Sequence, residues 1–303
     1  MNNSTSALPA DQVVRDAEIG WVGDFILLTK ARLSFLVVVT TFIGYCMASS
    51  GQFEWDRLIY TLLGTGLVAG AAGAFNQFIE VNVDRLMERT RHRPLPAGRM
   101  TRPGAFALAS LMAISGLAIL AGTTTIVAAY LAAATLLIYL AFYTPMKRRT
   151  SFCVTIGAVS GAIPPVIGWT AIDGSMGLGA WVLFGILFAW QMPHFLALAW
   201  VYRDQYAQAG FVMLSRRDPK GTWAAIQSLL YSIALLGITL IPWATGATGT
   251  VYFIGTLLCN LPLIGCAVAF LLKRTRTSAR ILFIASIAYL PLQLCLMVFT
   301  KAG

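Results

Sequence analysis

The feature that most limits how this chain can fold is a series of nine long apolar runs, each bounded by charge, glycine or proline. They read as Phe25 to Met47, Leu58 to Phe78, Ala105 to Leu120, Ile126 to Phe142, Val154 to Ala171, Leu178 to Val201, Ala224 to Ile241, Val251 to Leu272 and Ile281 to Phe299. A helix of about 20 apolar residues crosses the hydrocarbon core of a bilayer and satisfies its own backbone hydrogen bonds there. With 58% hydrophobic and 11% charged residues, the chain cannot cover itself with a water-facing surface, which excludes a soluble fold. Continuous runs in place of short alternating segments exclude a transmembrane barrel. The expected fold class is all-α, a polytopic membrane protein with nine transmembrane helices. A polar cytoplasmic segment at 1–24 precedes one nine-helix domain at 25–303.

Charge supports that count. Twenty of the 22 Lys and Arg residues fall on alternate loops, and only Arg57 and Lys301 fall on the others. Cytoplasmic loops collect basic residues, so the amino terminus is expected in the cytoplasm and the carboxyl terminus outside, in the periplasm. The net charge of +10 is then a one-sided basic face toward anionic lipid, and no nucleic-acid partner is needed to explain it. The leader MNNSTSALPADQVVRDAEIG has neither an apolar core nor an arginine excess, so it resembles neither a secretory signal nor a transit peptide. A bacterial inner membrane is the expected location. The five cysteines lie inside apolar stretches without metal-site spacing and read as core residues.

The segment NQFIEVNVDRLMERTRHRPLPAGRM, leaving the second run, carries the chemistry. Asn76, Glu80, Asp84 and Glu88 recur every fourth residue, each displaced about 40° round a helix and about 6 Å along it. Such a ridge of oxygen ligands suits Mg²⁺, which takes one or two carboxylates and shares phosphate oxygens with a substrate. Glu88 alternatively pairs with its arginine neighbours on a solvated helix end. Glu80 and Asp84 continue an apolar span, where carboxylates are costly unless they serve a function. Arginines at 85, 89, 91, 93 and 99 follow at once, and guanidiniums beside a metal ridge are what a diphosphate requires.

Three further segments are polar. In WQMPHFLALAWVYRDQYAQAGF, Gln191 and His194 lie deep in the sixth run and Asp204 at its end. His194 is either a satisfied core residue or an iron ligand or acid–base group. YTPMKRRT offers Lys147 and Arg148, either as membrane anchors or as anion contacts. GAIPPVIGW, Gly161 to Trp169, breaks a helix inside the bilayer, tolerable where it lines a cavity or packs on protein.

Taken together, the Asn76, Glu80, Asp84 ridge in a nine-helix membrane protein resembles the UbiA superfamily of intramembrane prenyltransferases. The strings ERTRHRPLPAGR, YTPMKRRT, GAIPPVIGW, WQMPHF and YRDQYAQAGFVML, spread between Leu28 and Lys220, are similar to the protohaem IX farnesyltransferase (haem O synthase) branch. The resemblance implies a UbiA-type bundle that moves a farnesyl group from farnesyl diphosphate to a vinyl group of haem B, with water addition, giving haem O. It implies Mg²⁺ held by Asn76, Glu80 and Asp84 with Asp204 from a second acidic motif. Lys30, Arg89, Arg93, Lys147 and Arg148 would bind diphosphate, and His194, Gln191 and His92 would contact haem. The partners implied are haem B, farnesyl diphosphate and the lipid bilayer, beside a haem A synthase or terminal oxidase assembly factors.

Two positions depart from the branch's pattern: Gln205 stands where a second carboxylate is usual, and Ala31 replaces a proline in LTKAR. Phe75, Phe78 and Tyr143 are expected to face a carbocation. A sibling enzyme acting on a quinone-precursor aromatic would share the ridge but lack WQMPHF. A transporter would place its charges near the midplane.

Overall fold

The computed structural model describes residues 20–50, 53–88, 90–147, 149–208 and 218–301. Among these, nine helices are long and apolar enough to cross a membrane: Ala31–Ala48, Trp55–Asp84, Arg102–Thr123, Ile126–Met146, Cys153–Asp173, Leu178–Val201, Thr222–Ala244, Thr250–Lys273 and Arg276–Phe299. The protein is thus an all-α, multi-pass membrane protein. The largest apolar core ties the sixth span to the last three, and a second joins the first five.

Three departures from the expected spans, and one break that the sequence predicts, place the functional groups. The first run is not one helix. Trp21–Leu28 forms a separate short helix, and the first span starts at Ala31 after Lys30 takes a left-handed conformation, φ 50°. That conformation costs a non-glycine residue about 1–3 kcal/mol and persists only where surrounding contacts hold it. Here the contacts come from the second span. Gln77 Nε2 donates to the Leu27 and Leu28 carbonyls at 2.7 and 2.9 Å, at the end of the short helix. Gly73, one turn earlier, lets the Thr29 carbonyl approach so closely that a Cβ there would sit 2.8 Å from its oxygen.

The second span runs six residues past Phe78 and ends at Asp84. Glu88 therefore lies beyond the helix, exposed in the following loop, and is not part of the ridge.

Near its end the fourth span widens into a π-helical turn, Ile138–Tyr143, ahead of Pro145. Proline has no N–H to donate and its ring crowds the carbonyl four residues back, so the helix relaxes to the wider turn, a distortion frequent at functional sites.

The fifth span breaks at Ile163, between Cys153–Ala162 and Pro164–Asp173. Its second half packs on the first span backbone to backbone. A Cβ on Gly168 would lie 1.9 Å from the Thr41 carbonyl oxygen, and one on Gly44 equally close to that of Pro165. Small residues allow this approach between membrane helices. Gly161, Pro164 and Ile167 at the break line the central cavity, as a break inside a bilayer requires.

Candidate active site

A cavity of about 630 Å³ opens between the first, second, fourth, fifth and sixth spans. On the second span its lining extends from Thr65 to Asp84, about 28 Å at 1.5 Å per residue. Ala69, Ala72 and Gly73 make room along that wall, and Val37, Val68, Leu136 and Ile167 give its deeper part an apolar surface. The polar end gathers Asn76, Glu80, Asp84, Lys30, Arg93 and Lys147.

Three of the four ridge residues, Asn76, Glu80 and Asp84, come together as the spacing predicts, and each is held by a cation from elsewhere in the chain. Lys30 Nζ donates to Asn76 Oδ1 at 2.5 Å. Lys147, at the end of the fourth span, reaches Glu80 at 3.1 Å. Arg93, from the loop after the second span, reaches Asp84 at 2.6 Å. Asn76 also donates to Glu80 at 2.9 Å and to Thr144 at 3.2 Å, fixing its amide orientation. Burial, with Lys147 and Arg93 nearby, pulls the Lys30 ammonium down to about 7, against the opposing pull of Glu80 and Asp84. With Lys30 in its ammonium form, three cations surround two carboxylates and leave the site short of negative charge, which an incoming phosphate would supply.

The loop carrying Arg93 is pinned in turn. Arg99 pairs with buried Asp24 at 2.9 Å and donates to the His92 carbonyl at 2.8 Å. Tyr139 and Tyr143, brought onto one wall by the π turn, stack at 5.2 Å, and Lys147 lies 4.5 Å above the Tyr143 ring. Sequence reasoning missed Asp24, Gln77 and Tyr139. Asp24, an acid among apolar residues ahead of Lys30, and Pro145, near the end of the fourth span, were the available signals.

At the sixth-span wall, His194 and Gln191 line the same cavity. The His194 ring is stacked 5.0 Å from Trp190 and tilted 4.7 Å from Phe283, and its Nδ1 is 2.9 Å from Ser286 Oγ. Gln191 donates to the Leu187 carbonyl at 3.1 Å, and its amide closes over Gly161.

Other expected residues lie elsewhere. Asp204 is not in the cavity wall: its exposed carboxylate pairs with Arg276 of the ninth span and with Arg203. Tyr206, two residues on, lines the cavity instead. His92 is outside the wall, its ring against Arg91. Phe75 and Phe78 pack on Phe106 of the third span, since residues one before and two after Asn76 emerge on other faces of the helix. Arg89 and Arg148 lie outside the described residues. No group of three or more His, Cys, Asp or Glu side chains converges among the described residues. The donor set that does line the cavity, two carboxylates and an amide, is all oxygen and fits a hard divalent ion completed by water and phosphate oxygens.

A nine-span bundle with a polar mouth and a long apolar cavity defines an intramembrane enzyme for a substrate with a charged head and a hydrocarbon tail. The chain belongs to the UbiA prenyltransferase family, whose pattern matches residues 37–289, and it is a prenyltransferase. It is 41% identical over 289 residues to the protoheme IX farnesyltransferase of Solibacter usitatus, covering 92% of this chain and 99% of that one. Among solved structures, a digeranylgeranylglyceryl phosphate synthase superimposes with a TM-score of 0.81 at 15% identity, over 92% of this chain and 98% of the other. A UbiA homologue from Archaeoglobus fulgidus bound to DMAPP and Mg²⁺ superimposes at 0.63 with 12% identity, over 90% and 99%. At these identities the two structures establish the shared fold.

Proposed function

We propose that this chain transfers a farnesyl group from farnesyl diphosphate to a vinyl group of haem B, with addition of water, giving haem O and diphosphate. The observation that carries this reading is a single cavity with a cationic, oxygen-lined mouth at one wall and His194 with Gln191 at another. Similarity to relatives named for this reaction supports it.

The diphosphate would lie against Lys30, Arg93 and Lys147, joined by Arg89 and Arg148. Mg²⁺ bound by Asn76, Glu80 and Asp84 would neutralise phosphate charge and so favour departure of the leaving group. As the allylic C–O bond breaks, its electron pair leaves with diphosphate, and the three fixed cations stabilise the charge that develops there. Tyr139 and Tyr143 line the cavity where the allylic cation would form, and the apolar wall would keep water from it. The vinyl carbon then bonds to the farnesyl C1. The new cation beside the porphyrin ring takes the oxygen of a water molecule, which releases a proton. Asp204, paired with Arg276, would have to turn to join the metal.

The polar mouth faces the basic loops, which the charge distribution assigns to the cytoplasm of a bacterial inner membrane, with the carboxyl terminus in the periplasm. A haem A synthase or an oxidase assembly factor would take the product.

The test is mass spectrometry of haem extracted after the purified protein is incubated with haem B, farnesyl diphosphate and Mg²⁺, with and without a chelator. A product carrying one farnesyl group plus water, lost on chelation, is expected. Prenylation of quinone-precursor aromatics in the absence of any haem product would overturn the reading.

A further inference from the structure

The ninth span contributes no residue to the cavity wall, yet one of its residues governs a residue that does. Ser286 is fully buried and holds two sixth-span side chains at once. Its carbonyl accepts from Trp190 Nε1 at 2.6 Å, and its hydroxyl lies 2.9 Å from His194 Nδ1. Trp190 and His194 are one helical turn apart, with stacked rings, so Ser286 fixes the ring and its neighbour together.

The direction of the His194 bond follows from counting protons. Ser286 Oγ also lies 2.7 Å from the Phe283 carbonyl in its own helix, an oxygen that can only accept. If the serine proton goes to that carbonyl and His194 Nδ1–H donates to Oγ, two hydrogen bonds form. If the serine proton goes to Nδ1, only one forms. The first arrangement satisfies more of these buried groups. Nδ1 then carries the ring proton and Nε2 keeps its lone pair. No described residue hydrogen-bonds Nε2, and Nδ1 is tied to a residue outside the cavity wall while the ring itself lines that wall.

We propose that Ser286 is a positioning residue that holds His194 in the Nδ1–H form, leaving the Nε2 lone pair to ligate an iron porphyrin in the cavity. The iron part rests on the haem reading above, whereas the tautomer does not. Metal-binding histidines commonly donate their other ring N–H to a fixed acceptor, which sets ring orientation and basicity. Here that acceptor comes from a helix outside the cavity and is itself fixed by a backbone bond.

Two measurements separate the claims. The chain has two histidines, so ¹⁵N NMR of protein labelled at histidine, in detergent and without haem, gives few signals, and those lost in His194→Gln belong to His194. The Nδ1–H pattern is expected in the native chain and in Ser286→Thr, and a mixed or reversed pattern in Ser286→Ala. An Nε2–H pattern in the native chain, or no change in Ser286→Ala, overturns the proposal. The second measurement is a ferric haem titration followed by absorbance. It should show a histidine-ligated spectrum that His194→Gln lacks and an affinity about tenfold weaker in Ser286→Ala. If the native chain binds no haem, the haem reading fails while the NMR result still decides the tautomer. If haem binds and His194→Gln keeps the same spectrum, ligation by Nε2 is wrong.

Discussion

Two buried polar clusters sit in this bundle, and they differ in charge and in what they face. At the cavity mouth, Lys30, Lys147 and Arg93 meet Asn76, Glu80 and Asp84. Between the last three spans, Thr239, Tyr252, Thr256, Asn260, Tyr289 and Gln293 bond to one another without a charge among them. Tyr252 donates to the Thr239 carbonyl at 2.7 Å, Asn260 to Thr239 Oγ1 at 3.2 Å and Gln293 to Thr256 at 3.1 Å. None of these six lines the cavity. The neutral cluster joins helices and leaves Gln293 Oε1 unbonded among the described residues. The charged one is open to a substrate, and its cations outnumber its carboxylates. A charged residue inside a membrane span that borders a cavity is a suspect for function, whereas a neutral cluster away from the cavity joins helices.

Substitutions can break that comparison. The largest effect is expected from Asp84→Ala, a loss of prenyl transfer of at least about a thousandfold, the scale seen when transition-state charge stabilisation is removed. The thermal midpoint in detergent should stay close to that of the native chain, and near-normal turnover with Mg²⁺ would remove Asp84 from the site.

Next comes Gln77→Leu, which unseats the helix break that delivers Lys30. A fall of about a hundredfold is expected, as for misplacement of a binding group by about an ångström. Because the loss runs through Lys30, the double variant with Lys30→Met should be no worse than Lys30→Met alone. Additive losses would make Gln77 an ordinary packing residue.

In the neutral cluster the pattern should invert. Asn260→Leu should cost roughly 1 kcal/mol of stability, seen as a lower thermal midpoint, with KM for the prenyl diphosphate unchanged. A raised KM would mean that the two clusters communicate.

The smallest effect concerns the seam between the regions, where Lys301 donates to the Cys46 and Ser49 carbonyls at the end of the first span. Burial holds its ammonium below the ordinary value of 10.5. The folded chain thus loses this proton at a lower pH than the unfolded chain, which binds more protons in between. Stability should rise with pH across that window. The midpoint of the native chain should climb as pH approaches 10.5, and Lys301→Met should flatten that rise.

How much could be read from the chain varied with how local each feature is. The ridge was legible because fourth-residue spacing along one helix is a property of consecutive residues, and its basic neighbours follow within a few positions. Asp204 was not, because its surroundings include Arg276, 72 residues away. The neutral cluster was invisible, since threonines, tyrosines and amides scattered through three spans carry no spacing signal. Lys30 was assigned to diphosphate by resemblance alone, while the apolar run around it predicted an unbroken helix.

The sequence by itself determined the class of fold, the number of spans and the ridge, because hydrophobicity and helical periodicity act along the chain and a bilayer permits few alternatives. Only the tertiary structure decided which cation meets which ridge oxygen, where the first helix breaks, and which hydroxyl the His194 ring meets. Those depend on side chains distant in sequence, Gln77 against Leu28 or Ser286 against His194, whose proximity exists only after the spans have packed.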